Sequence, residues 1–242
     1  MTVHGDGSDD LLFLFGWGNR PAHAPETWLL DGLTERGWTV HAVTLPENGT
    51  AFGRDYVDPV AAIRARVDPD VTAGHSLGGL TLAHLPGDGP RLYAAPFWGL
   101  TEPIATLAPV LTRLPTDARL LPAGTDPAAL GEHKPTDEPT AGDRGASPAW
   151  LAAARGAQRR LPRFREGSVV YCSLADEVVS PSAIGERVPA DRVRLYDGGH
   201  EFFASRGRET TLDRVANDLR TIADGDHPPP TTEPDAEPDP SA

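Results

Sequence analysis

A serine at position 76 is surrounded by Gly74, Gly78 and Gly79, directly after a short apolar run near Val71. A surface loop would tolerate almost any residues in such a stretch. Glycines around one polar side chain instead suit a strand that reverses sharply into a helix, where larger side chains would collide. The sequence therefore predicts a strand near Val71, a tight turn with Ser76 at its apex, and a following helix.

Short apolar runs of strand length alternate with helical segments along the chain. This alternation predicts an α/β fold with a mostly parallel sheet of about six strands and helices on both faces. Ligands of such sheets bind beyond the carboxyl ends of the strands. The predicted strands cover 11–15, 38–45, the run near 71, 91–95, 168–174 and 193–196, and the predicted helices cover 25–36, 59–67, a segment after 76, 148–158, 181–188 and 201–223.

The 242 residues suit one α/β domain, which we place at residues 1–223. Within it, residues 101–164 are rich in proline and glycine and interrupt the alternation, which predicts a short cap insertion. Residues 224–242 are acidic and proline-rich, and we expect this tail to be disordered.

The net charge of −13 disfavours nucleic acid and anionic membranes as partners. No apolar run approaches the ~18 residues of a membrane span, and residues 1–10 lack the apolar core of a signal peptide, which predicts a cytoplasmic protein. Lys134 is the single lysine beside 21 arginines, a composition typical of a salt-loving organism with a GC-rich genome, although GC bias alone would also explain it.

Residue patterns typical of cofactor sites are missing from the sequence. It contains no H-E-x-x-H motif, no spaced Cys/His set, no phosphate-binding loop and no G-x-G-x-x-G after a strand, so we expect neither a metal nor a cofactor. The single cysteine, Cys172, excludes an internal disulfide. The sequence leaves the oligomeric state open.

The stretch G74-H75-S76-L77-G78 matches the G-x-S-x-G turn, and over residues 11–223 the chain resembles the α/β-hydrolase superfamily, as a small serine esterase-like member with a short cap. The resemblance implies that Ser76 is the nucleophile, while His75 is read as a packing residue. It also implies that the first predicted strand corresponds to the third of the family. Because ten residues precede that strand, we expect the two leading strands to be missing and all six strands to be parallel.

The same resemblance implies an acid and then a histidine after the nucleophile. His200, in a glycine-rich loop before the last helix, takes the position of the general base. Asp176, after the strand at 168–174, takes the position of the acid that orients the histidine. Glu177 is an adjacent competitor, and Asp197 is a weaker one because it lies close to His200 in sequence.

The loop F15-G16-W17-G18-N19-R20 resembles the H-G-W-G loop of small-ester hydrolases. That implies an oxyanion hole formed by the backbone N–H groups of Trp17 and Leu77. The chain departs from the pattern at Phe15, where histidine is usual.

Phe97 and Trp98 follow the fourth predicted strand and either line an acyl pocket or pack under the cap. Phe202 and Trp150 are further candidates for lining it, although core packing is the commoner fate of such aromatics. The resemblance implies hydrolysis of a small or medium carboxylic ester, or a thioester, through an acyl-enzyme on Ser76. The alternatives are C–C bond hydrolysis, peptide cleavage or a lyase step with the same triad, and a non-catalytic binding protein.

Overall fold

The computed structural model of the protein describes residues 1–121, 126–136 and 145–231. Within them, seven strands form one sheet in the order β1-β3-β2-β4-β5-β6-β7. All neighbouring strands run parallel except β1, which is antiparallel to β3. The strands are β1 Thr2–His4, β2 Asp9–Leu14, β3 Trp38–Val43, β4 Val71–His75, β5 Leu92–Ala94, β6 Val169–Cys172 and β7 Val193–Leu195.

Proline near the first turn and serine at the N-cap mark where several helices begin. Ser147 accepts a hydrogen bond from the backbone N–H of Trp150, and Ser180 accepts one from that of Ala183, so each serine satisfies a free N–H of the first turn. The α-helices of the described residues are α1 Ala24–Thr34, α2 Asp58–Val67, α3 Leu77–His84, α4 Ile104–Leu111, α5 Pro127–Leu130, α6 Pro148–Arg159, α7 Pro181–Gly185 and α8 Arg208–Ala223.

The strands bury both faces, as expected for a parallel sheet between two layers of helices. Leu11 and Phe13 of β2 face the core shared with α1 and α8, whereas Leu12 and Leu14 face the core shared with α3 and α6. The alternation follows from the two-residue period of a strand. This α/β sandwich is the fold class that the sequence predicts.

Strand β1 corrects the expectation that the sheet has six strands, all of them parallel. Thr2 pairs with Ala42 and His4 pairs with Val40, so β1 adds a seventh, antiparallel edge strand before the first predicted one. A run of three residues with a single apolar side chain has no periodicity to detect. Its structure depends on pairing with β3 rather than on its own sequence.

Part of the predicted tail also differs from expectation, because residues 227–231 pack along the outer edge of β7. The backbone N–H of Thr231 donates to the Asp191 carbonyl at 2.8 Å, and its hydroxyl donates to the Val193 carbonyl at 2.9 Å. Arg194 donates to the Pro229 carbonyl. These contacts hold the segment against β7, and residues 232–242 lie outside the described residues.

The predicted cap occupies the connection between β5 and β6 and carries α4, α5 and α6. Two stretches of it, 122–125 and 137–144, lie outside the described residues. Of the helices that are described, none combines the length and the apolar character needed to cross a bilayer.

Candidate active site

Ser76 occupies a strained turn between β4 and α3. Its φ of 51° and ψ of −117° are unfavourable for a residue with a side chain. A Cβ at Gly78 would lie 2.1 Å from the Leu14 carbonyl oxygen, and one at Gly74 would lie 2.8 Å from the Gly78 carbonyl. The flanking glycines are thus required by close backbone packing, as the sequence predicted.

Backbone hydrogen bonds to neighbouring segments hold the apex of this turn. The Ser76 N–H donates to the Ala94 carbonyl, and the Ser76 carbonyl accepts from the N–H groups of Leu80 and Phe97, each at 3.0 Å. These bonds join the turn to α3 and to the end of β5. The position of the serine is therefore set by the sheet itself.

His200 and Asp176 meet at the carboxyl edge of the sheet, and both are buried. His200 Nδ1 lies 2.8 Å from Asp176 Oδ2. The other carboxylate oxygen, Oδ1, accepts from the backbone N–H groups of Val178 at 2.8 Å and Val179 at 2.9 Å. When Nδ1 carries the proton that Asp176 accepts, Nε2 is left as the free basic nitrogen of the ring.

The two competing acids lie elsewhere. Glu177 and Asp197 are exposed, and within the described part of the chain neither carboxylate contacts His200. The structure therefore brings Asp176, and not its neighbour, to the imidazole.

Ser76 and His200 lie on adjoining loops. The rings of His75 and His200 are 4.8 Å apart between centroids, and His75 Nε2 lies 3.3 Å from the His200 carbonyl oxygen. Across the described residues, the Ser76 hydroxyl makes no hydrogen bond to His200. Hydrogen bonds between a nucleophile and its base are commonly long before substrate binds.

His75 packs in the way expected of it. The ring is buried against Phe203, at 5.1 Å between centroids. Burial, together with the nearby charge of His200, holds the pKa of His75 well below its usual value. His75 is therefore neutral near pH 7 and adds no charge beside Ser76.

The loop containing Trp17 lies against this serine. A Cβ at Gly16 would be 3.0 Å from Ser76 Cβ and 2.6 Å from Asn19 Oδ1. Leu77 opens α3, where backbone N–H groups lack partners within the helix. The two residues predicted to donate to an oxyanion are thus on segments that flank Ser76.

Three aromatic rings form a stack beside this loop. The ring of Trp150, in α6, lies 5.2 Å from Trp17 and 6.2 Å from Phe97 between centroids, and both pairs are stacked. We call these three residues the aromatic row. The row joins the cap to the Trp17 loop and to the segment after β5 that is hydrogen-bonded to Ser76.

The other two predicted lining residues lie away from the aromatic row. Trp98 packs edge to face on Tyr93, with centroids 5.0 Å apart, and it also contacts Phe164. Phe202 is buried on the opposite side of the sheet, against Tyr196 and Phe203. Of the four predicted lining residues, the structure places Phe97 and Trp150 in the row.

The sequence interpretation missed a buried polar cluster next to the histidine loop, formed by Asn19, Glu26, Lys134 and Glu201. Two features could have pointed to it, because Lys134 is the single lysine and Glu201 directly follows His200. No group of three or more His, Cys, Asp and Glu side chains suited to a metal ion is found in the described residues.

Three solved structures share this architecture. A monoacylglycerol lipase from Paleococcus ferrophilus aligns with a TM-score of 0.72 and 18% identity, over 91% of this chain and 98% of that one. A soluble variant of monoglyceride lipase from Saccharomyces cerevisiae gives 0.71 and 15%, over 90% and 89%. An esterase from Exiguobacterium antarcticum gives 0.58 and 14%, over 90% and 94%.

Identities this low establish a shared fold only. A search of curated proteins finds no match to this chain. A family model described as the alpha/beta hydrolase family matches residues 2–237, nearly the whole sequence. The chain therefore belongs to the alpha/beta hydrolase family.

Proposed function

We propose that this protein is a serine hydrolase that cleaves carboxylic esters through an acyl-enzyme on Ser76. The observation that carries the proposal is the 2.8 Å contact between His200 Nδ1 and Asp176 Oδ2, buried beside a serine on a strained turn. A serine hydroxyl is a weak nucleophile until a base removes its proton, and a histidine oriented by a carboxylate is suited to that task.

In the proposed mechanism, His200 Nε2 takes the proton of the Ser76 hydroxyl as Oγ attacks the ester carbonyl. Asp176 stabilises the resulting imidazolium without accepting the proton. The imidazolium then protonates the leaving alcohol, which departs as the acyl-enzyme forms. A water molecule, deprotonated by the same histidine, attacks the acyl-enzyme and releases the acid.

The negative charge that develops on the carbonyl oxygen requires donors that are already in place. We assign these to the backbone N–H groups of Leu77 and Trp17. Two observations support the assignment, namely the unpaired first turn of α3 and the close approach of the Gly16 backbone to Ser76.

We infer a carboxylic ester with a small or medium acyl group, or the corresponding thioester, as the substrate. The aromatic row supports this size, because Trp150 and Phe97 are buried and stacked on each other, and the Phe97 N–H donates to the Ser76 carbonyl. Two of the similar structures are named as monoacylglycerol and monoglyceride lipases, which supports an ester bond.

From composition we also infer a cytoplasmic location and adaptation to high salt. Loss of the fold when the salt is diluted would support the adaptation to salt.

Turnover of p-nitrophenyl acetate and butyrate, together with labelling by a fluorophosphonate, tests the proposal. We expect Ser76→Ala to abolish labelling and turnover while circular dichroism remains that of a folded protein. Asp176→Asn should lower kcat by about 10⁴-fold, because the imidazole loses its orienting carboxylate. Ser182→Ala, at an exposed serine in α7, is the matched control and should behave as wild type.

Labelling that survives Ser76→Ala would contradict the assignment of the nucleophile. A protein that is labelled at Ser76 but leaves esters intact would support C–C bond hydrolysis, peptide cleavage or a lyase step. If the wild-type protein is never labelled, a binding protein on this fold is the better description.

A further inference from the structure

The cluster of Asn19, Glu26, Lys134 and Glu201 is not used in acyl transfer, although it lies directly behind the residues that are. We call it the lysine cluster. Its four side chains are at most 8% exposed. Asn19 Nδ2 donates to Glu26 Oε1 at 2.6 Å and to Glu201 Oε1 at 2.7 Å. Lys134 Nζ lies 2.9 Å from Glu201 Oε2 and 3.3 Å from Glu26 Oε1.

Stability alone is a poor reason for such a cluster. Removing charged groups from water costs several kcal/mol per ion, and apolar residues of similar volume are often as stable as a buried ion pair. The cluster itself sets two carboxylates against one ammonium, and the His23 ring nitrogen lies at its margin, 3.6 Å from Glu26 Oε1. Within the described residues, Glu26 Oε2 has no hydrogen-bond partner. A role in placing other groups therefore explains the cluster better than its own contribution to stability.

Lys134 supplies the positive charge that keeps the two carboxylates together. Burial opposes its charge, but Glu201 and Glu26 outweigh that effect and raise the pKa of the ammonium. Burial raises the pKa of Glu201, and Lys134 only partly offsets this. Without the ammonium, Glu201 would depend on the amide of Asn19, which Glu26 shares, while Glu26 would still face the His23 ring nitrogen at 3.6 Å. The two carboxyl groups would then be driven to take up a proton or to separate.

Two members of the cluster adjoin the two loops on which acyl transfer depends. Glu201 is the residue after His200. Asn19 lies two residues after Trp17, and its Oδ1 is the atom closest to where a Cβ on Gly16 would lie, at 2.6 Å. Because Asn19 and Glu201 are hydrogen-bonded, the loop of the proposed oxyanion donor and the loop of the base are joined directly.

Lys134 enters from the cap, in the described segment 126–136, and this segment also binds the histidine loop through its backbone. The His200 N–H donates to the Ala129 carbonyl at 3.0 Å, and the Glu201 N–H donates to the Leu130 carbonyl at 2.8 Å. The fit is close, since a Cβ at Gly199 would lie 2.5 Å from the Ala129 carbonyl oxygen. The segment that binds the His200 loop through its backbone thus also contributes the ammonium of Lys134.

We propose that Lys134 is a positioning residue, whose ammonium holds Glu201 and Glu26 together and so fixes the His200 loop against the Trp17 loop. The inference rests on the proposed function, because the relative position of these loops matters only if His200 and the oxyanion donors act on one substrate. Errors of about 1 Å in such geometry can cost about 10²-fold in rate.

The test replaces Lys134 with methionine, which keeps an unbranched side chain but removes the charge. We expect Lys134→Met to lower kcat for p-nitrophenyl butyrate by about 10- to 100-fold with KM within about threefold, and the fluorophosphonate labelling rate to fall equally. Lys134→Arg retains a positive charge and should recover part of the rate. Glu132→Gln removes an exposed charge from the same segment, where Glu132 pairs with Arg206, and should match wild type.

A second readout does not depend on catalysis. The ring N–H proton of His200, hydrogen-bonded to Asp176, should give a low-field proton NMR signal in wild type and Glu132→Gln, and this signal should broaden or vanish in Lys134→Met. If Lys134→Met does not fold, Glu201→Gln serves instead, because it keeps the hydrogen bond from Asn19 but removes the charge that Lys134 pairs with. The same loss of kcat and of the signal is expected there.

Wild-type kcat, labelling rate and ring-proton signal in a folded Lys134→Met would overturn the proposal. So would a fall in kcat that only follows a reduced folded fraction. Failure of the proposed function looks different, because the wild-type protein would then neither react with the probe nor cleave the ester, while the ring-proton signal would still report whether Lys134 positions His200.

Discussion

Apolar side chains are buried in the central sheet, whereas several in α4, the outer helix of the cap, are exposed to solvent. Phe13, in the middle of the sheet, is 1% exposed, whereas Leu107 and Val110 in α4 are 52% and 63% exposed. Helix α4 is attached through Ala108, which is fully buried, and the cap contacts the body through the aromatic row and the lysine cluster. From this difference we expect the sheet to carry most of the stability, and the few contacts at the base of the cap to matter more for the proposed site.

The largest effect on stability should come from the sheet. Phe13→Ala removes a buried ring that packs on Phe15 at 4.9 Å between centroids. We expect the free energy of unfolding to fall by about 3–5 kcal/mol, the usual cost of such a truncation in a core. Urea denaturation would measure this free energy. A loss below about 1 kcal/mol would contradict the expectation that the sheet contributes more to stability than the cap.

An intermediate effect is expected at the base of the cap. Trp150→Phe replaces the middle ring of the aromatic row with a smaller one. We expect the free energy of unfolding to fall by on the order of 1–2 kcal/mol, less than a truncation to alanine would cost. Because the row adjoins the Ser76 backbone, kcat/KM should also change several-fold. Trp28→Phe, on the outer side of α1 where Trp28 contacts Arg208, is the control and should leave kcat/KM unchanged. Equal effects of the two variants on kcat/KM would contradict a role for the aromatic row in the proposed active site.

The smallest effect should come from the outer face of α4. Val110→Ser should change the free energy of unfolding by no more than about 0.5 kcal/mol, because this side chain is already in water. In the same helix, Ala108→Ser buries a hydroxyl and should cost about 1–3 kcal/mol. Thermal unfolding of both variants would sharpen the comparison, and a larger loss for Val110→Ser would mean that the outer face is packed against something.

The sequence predicts the sheet well because its evidence is local. Apolar runs bounded by glycine or proline located the strands from β2 to β7, although several ends are shifted by one or two residues. Strand β1 and the docking of Thr231 could not be predicted from the sequence, because both depend on hydrogen bonds to backbone that is distant along the chain. Helix α8 begins at Arg208 rather than at residue 201, because Phe202–Ala204 form a separate short turn.

The residues of the candidate site also fall into those that local sequence patterns could predict and those that they could not. The turn of Ser76 and the loops of Asp176 and His200 could be predicted because each has a compact sequence pattern in a known order. Which aromatic ring faces the site could not, since Phe97 and Trp98 are adjacent and only the backbone decides which way each side chain points.

Sequence reasoning could have singled out Lys134 and Glu201, but not the association of all four residues of the lysine cluster. Asn19 and Glu201 bond across 182 positions of sequence, and the cluster draws one residue from each of four separate segments. No periodicity or motif relates such positions. Their association is a product of the fold.

The segment that ends at Thr231 has a consequence for how this protein behaves in concentrated solution. A bare edge strand offers unpaired carbonyl and N–H groups to the edge of another molecule, which is a route to aggregation. Here the N–H and the hydroxyl of Thr231 donate to the carbonyls of Asp191 and Val193 at the start of β7, so a segment of the same chain covers that edge of the sheet. Proline residues at 228, 229 and 230 lack N–H groups, so the covering segment offers no new ladder in place of the one it hides.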